Sequence, residues 1–201
     1  MLHRLQNDFM LSIITLLGIT AILGISPFAV MRFLQGNMLA GIVDLSIVVA
    51  IMTGTAYAWM TGDTVRTGLA MAFVVCSGAV TISIVVGHAG IFWVAPCLMA
   101  SFFLAKPVYA ITINLSSVAV LMIHGGALSS TAEMWSFAAT SIVVSICAFI
   151  FAYRNEHQRE RLEHLATIDP LTGLKNRRSM DEELALTVAS ASRHRNSYAL
   201  V

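Results

Sequence analysis

Long apolar runs, repeated one after another from Phe9 to Tyr153, leave this chain few ways to fold. A helix needs about 20 apolar residues to cross the hydrocarbon core of a bilayer. Six runs are candidates: 9–30, 38–60, 67–86, 91–105, 107–124 and 134–153. Pro27 lies near the end of the first. The fourth is short, carries Pro96, and is parted from the fifth only by Lys106-Pro107, so a re-entrant segment is the alternative there. Charge agrees with a membrane protein. Of 201 residues, 11% are charged and 57% hydrophobic, where a soluble domain carries about 25% charged residues. Of the twelve Lys and Arg, only Arg4, Arg32, Arg66 and Lys106 precede residue 154. The expected organisation is a six-helix membrane module over 1–153, a helical linker over 154–168, and the start of a soluble domain over 169–201.

The first ten residues lack the basic start of a signal peptide, and no small-residue cleavage site follows, so the first run is expected to stay as a helix. Basic residues prefer the cytoplasmic side of a membrane. With the N-terminus inside, Arg4, Arg66, Lys106, Arg154, Arg159 and Arg161 fall inside and only Arg32 outside. Tyr57, Trp59, Tyr109 and Tyr153 then sit at inner ends, Trp93 and Trp135 at outer ends, as interfacial belts require. Both termini are therefore expected in the cytoplasm.

Cys76, Cys97 and Cys147 lie inside apolar runs and follow neither metal nor disulfide spacing. Ionisable residues within a membrane are candidates for function. Asp44, His88 and His124 all fall toward the outer side, and two histidines with a carboxylate suit a proton, a divalent metal or a small ligand. The competing reading leaves both histidines at the water interface and Asp44 hydrogen-bonded to Asn37 or a small polar neighbour. Arg32 and Glu133 read as solvated outer-loop charges. Asn114, mid-membrane, reads as a polar contact between helices.

Beyond Tyr153 a heptad frame places Asn155, Gln158, Leu162 and Leu165 at core positions. That pattern makes a weak coiled-coil seam. A solvated helix without a partner fits equally well. The helix should end at Ile168, because Asp169 precedes a proline. Asp169 can cap a new turn with Pro170 at its first position. Asn176 caps the next helix, where Met180, Leu184 and Val188 form one apolar stripe. The final Ser197–Val201 stretch reads as the beginning of a strand.

The stretch DPLTGLKNRR, Asp169 to Arg178, resembles the entry segment of the GGDEF domain family, the diguanylate cyclases. The family pattern is met at Asp169, Leu171, Thr172, Gly173, Leu174, Asn176, Arg177 and Arg178. The resemblance implies a mostly helical chain leading into an α/β domain, and an activity that condenses two GTP into cyclic di-GMP. It also implies Mg²⁺, GTP and a homodimer whose two sites face each other, besides the lipid bilayer; no nucleic-acid partner is implied. The family's metal-binding Asp follows the first strand, and its glycine-rich acidic turn comes later. No position here matches either one, so no catalytic residue is carried over. The chain as it stands is expected to be inactive alone, holding the sensor, the linker and the domain entry. The alternative is a non-catalytic membrane signalling or receptor protein with a degenerate or truncated GGDEF domain. A transporter would show paired midplane polar residues in matching halves, and no internal repeat is present.

Overall fold

A computed structural model of the chain describes residues 8–167 together with Met180, Leu184 and Thr187, with backbone alone at 159, 160 and 162–167. The described residues are almost all helical and include no strand. The chain divides into two compact units, Met1–Ala152 and Tyr153–Val201.

Among residues 8–167, seven helices follow in order: α1 Phe9–Leu34, α2 Met38–Thr61, α3 Thr64–Val86, α4 His88–Ile91, α5 Val94–Leu104, α6 Pro107–His124 and α7 Thr131–Thr167. Their ends have local causes. Asp8, Asn37 and Asp63 accept hydrogen bonds from the backbone N–H three residues on, at Leu11, Ala40 and Arg66. Each cap satisfies one of the donors that a helix start leaves unpaired. Pro107 opens α6, where its missing N–H costs nothing. Gly62 and Gly125 close α2 and α6 with φ of 73° and 66°, values that other residues resist. At the start of α7, Ser130 and Glu133 cap each other's turn: Glu133 N–H donates to Ser130 Oγ, and Glu133 Oε2 accepts from Ser129 N–H.

Five of these segments are long and apolar enough to cross a membrane: α1, α2, α3, α6 and Thr131–Gln158 within α7. Large apolar side chains face outward along them, with Leu23, Leu115 and Ile123 at 69%, 71% and 86% exposure. Water would not tolerate that surface and lipid requires it. The expected spans 38–60 and 107–124 coincide closely with α2 and α6. The expected span 9–30 stops a turn short of the end of α1 at Leu34, and 67–86 starts a turn late because Asp63 caps α3 earlier.

The fourth expected span, 91–105, starts at the last residue of α4 and, after a turn at Phe92–Trp93, continues as α5. Its course is fixed by two glycines. A Cβ on Gly90 would lie 2.6 Å from the Ile82 carbonyl, near the end of α3. A Cβ on Gly68, one turn into α3, would strike the carbonyl of Leu104, the last residue of α5. The segment therefore runs antiparallel along α3 from Ile82 back to Gly68. That is 82 − 68 = 14 residues of α3, about 21 Å. It does not turn back on itself.

Three apolar clusters hold the first unit together. Leu11, Ile14, Ile51, Ala58, Met71 and Leu104 join α1, α2 and α3 to the end of α5. Ala79, Val94, Leu98, Leu121 and Phe137 join α3, α5, α6 and α7. Phe102, Ala110 and Ala148 join α5, α6 and α7. In the second unit, Asn155 is half-buried and Gln158 exposed. Met180 and Leu184 are helical and exposed. The side chains of Leu162 and Leu165, the segment Asp169–Arg178, Val188 and the final strand-like stretch lie outside the described residues.

Candidate functional site

The turn from α1 to α2 is three residues long: Gln35, Gly36 and Asn37. Gly36 takes φ 77°, which lets the chain reverse that sharply. The reversal sets the last turn of α1 beside the second turn of α2, and there Arg32 Nη1 donates to Asp44 Oδ2. Both side chains are buried, at 8% and 6% exposure. This corrects the reading of Arg32 as a solvated loop charge. The apolar run ends at Val30, but the helix continues to Leu34 and turns Arg32 inward. A cation in the last turn of a helix also opposes the negative end of the helix dipole. A charge in an apolar interior is tolerated when paired, and this pair meets that condition. Asp44 is therefore bound to Arg32, and not to Asn37, whose side chain caps α2.

The structure separates the other two candidate sensing residues from this pair. His88 is exposed at the head of α4, with Nδ1 3.9 Å from Glu133 Oε2 and its ring edge-on to Phe92. His124 is exposed at the end of α6. Among the described residues, no group of three or more His, Cys, Asp or Glu side chains is placed to hold a metal ion. Glu133 is half-buried and serves mainly as the cap of α7.

Beside the ion pair is a cavity of about 280 Å³ between α1, α2, α3 and α5. Its walls are Leu17, Ile25, Ile47, Met71, Val75 and neighbours of the same kind. Phe28 and Trp93, edge-to-face with centroids 5.2 Å apart, line one end. Gly18, Gly24 and Gly78 also line it; a Cβ on Gly18 or Gly78 would come within 2.7 Å of Thr55 or Ile47, so these two let the helices approach closely. Asp44 is the one charged residue on the wall. Trp93 is thus part of this lining as well as lying at the end of a span. Nothing in hydropathy marks the cavity, because its lining is assembled from four helices. The sequence did contain one usable signal: an Arg and an Asp twelve residues apart, flanking a glycine turn.

A second polar centre lies deeper. Asn114 Nδ2 donates to the Leu98 carbonyl at 2.9 Å, and Asn114 Oδ1 is 2.8 Å from Ser101 Oγ and 3.8 Å from Cys76 Sγ. Asn114 ties α6 to α5 and α3, the structural role expected of it. Cys76 and Cys97 lie in the interior at this level, and Cys147 is exposed on α7.

No protein-family model, no curated protein and no solved structure matches the chain.

Proposed function

We propose that this chain is the sensory membrane module, linker and domain entry of a diguanylate cyclase, an enzyme making cyclic di-GMP from two GTP. The observation that carries the reading is the run Asp169–Arg178, which follows a charged helical stretch after the last apolar span. A helix through residues 131–167 fits a linker of that kind. The module is a polytopic membrane protein; the basic residues around its spans favour cytoplasmic termini, and the cyclase reading puts it in a bacterial inner membrane.

In this reading the protein is a homodimer. A change in or near the membrane alters how two α7 helices cross. The seam Asn155, Gln158, Leu162 and Leu165 passes that change to the domains beyond. Two GTP-loaded domains then meet face to face more or less often. Phosphoryl transfer of this type needs positioned phosphates and neutralised charge, which Mg²⁺ supplies in the family. No residue described here fits that ion, so none is assigned to it.

The test is to read the coding sequence in frame past Val201, then assay its product. A strand bearing an Asp and a glycine-rich acidic turn should follow, and the full product in membranes should form cyclic di-GMP from GTP and Mg²⁺. A continuation without the acidic turn, and a product inert toward GTP, would replace this reading with the non-catalytic receptor.

A further inference from the structure

We propose that the cavity between α1, α2, α3 and α5 is a binding site for a small neutral molecule of two fused rings with one hydroxyl or N–H, which donates to Asp44. Four observations lead there. The volume, about 280 Å³, is roughly twice that of a 150 Å³ apolar cavity that accepts benzene, so two rings fit. The walls are apolar, and Phe28 and Trp93 offer ring faces and edges at one end. Asp44 lines the space, and only its Oδ2 is engaged by Arg32. Every sealed side-chain oxygen or nitrogen among the described residues has a partner. Asp44 Oδ1 has none, so it is open and can accept a hydrogen bond.

The ion pair sets the ligand's charge. Arg32 already balances Asp44, so a cation in the cavity would place an extra charge among apolar walls. A neutral donor avoids that cost. An anion would face the carboxylate. A purely apolar ligand would leave Oδ1 unused and bind more weakly. Sites of this make-up, apolar with few polar groups, are the usual form of small-molecule pockets, and this one lies at the small end of their range. The proposal does not rest on the cyclase reading, because its test reads binding directly.

The probe is tritiated 1-naphthol, with unlabelled 1-naphthol and naphthalene as competitors, on the full chain in lipid nanodiscs by scintillation proximity. Empty nanodiscs report partition into lipid. Saturable binding above empty discs is expected, with 1-naphthol competing about tenfold better than naphthalene, the effect of one hydrogen bond to a charged acceptor. Ala21→Phe, which fills the cavity from α1, should abolish binding. If that variant does not fold, Ala100→Phe fills it from α5. The double variant Arg32→Met/Asp44→Leu, which leaves no charge unpaired, should bind both compounds equally. The proposal is overturned by binding no greater than to empty discs, by unchanged binding in a folded cavity-filling variant, or by equal competition from naphthalene in the native chain.

Discussion

Arg32 and Asp44 depend on each other, and the dependence sets what their variants should do. Each side chain is almost fully buried. Removing one partner strands the other in an apolar environment, a loss of about 3 kcal/mol or more in buried pairs. Replacing both with apolar residues of similar volume removes the desolvation cost along with the attraction, and such exchanges are neutral or stabilising. Arg32→Met alone should therefore lower the unfolding midpoint of the purified protein sharply, and Arg32→Met/Asp44→Leu should restore it to near the native value. A single variant as stable as the native protein would mean that water reaches the pair freely. Asn114 behaves differently. Its amide is shared among three helices, and contacts of that kind inside membranes average less than about 1 kcal/mol each.

At the scale of elements, two glycines with opposite reasons can be set against each other. Gly36 has open space where a Cβ would go, but its φ of 77° is strained for any other residue. Gly36→Ala should cost about 1 kcal/mol. Gly68 sits inside a helix with ordinary backbone, and a Cβ there meets backbone of α5 that cannot rotate away. Gly68→Ala should cost about 2 kcal/mol through overpacking and should loosen α5 from α3. Thermal unfolding of the two variants side by side checks the order. Much of the helix pattern was legible from sequence, because the apolar runs mark the spans, although the earlier start of α3 at the Asp63 cap was not read. The end of α1 was not, since Arg32 reads as a boundary until its partner Asp44 is known to be adjacent. Trp93 was read only as an interfacial residue, since its place in the cavity depends on how α5 lies along α3. The break at Phe92–Trp93 and the cavity share that cause: both are products of packing between segments far apart in the chain. Asp44 was picked out for its charge, but its grouping with His88 and His124 followed depth in the membrane, which cannot show which side chains meet.

For the whole molecule, the question is whether the segment His88–Leu104 crosses the bilayer, because the answer decides which side every later residue occupies. The segment is 17 residues in two pieces, short for a span. Its path along α3 from Ile82 to Gly68 carries the chain from one end of that helix to the other. Lys106 then returns to the end of the bundle that holds Asp63, and Ser129 to the end that holds Gly36. Had the segment turned back, Lys106 would share a side with Gly36, and Ser129 with Asp63. Single cysteines at the four positions separate the two cases with a membrane-impermeant maleimide. Native Cys76 and Cys97 lie within the bundle and exposed Cys147 lies within the apolar span of α7; a variant with all three replaced by Ala or Ser is the background for the labelling. Gly36→Cys and Ser129→Cys should be labelled together, and Asp63→Cys and Lys106→Cys together from the opposite side. In the proposed orientation that second side, which Arg66 and Lys106 flank, is the inner one. In intact cells the first pair should therefore react at once and the second only after permeabilisation. Labelling of Lys106→Cys alongside Gly36→Cys would remove one crossing and, with it, the proposed cytoplasmic placement of the end of α7.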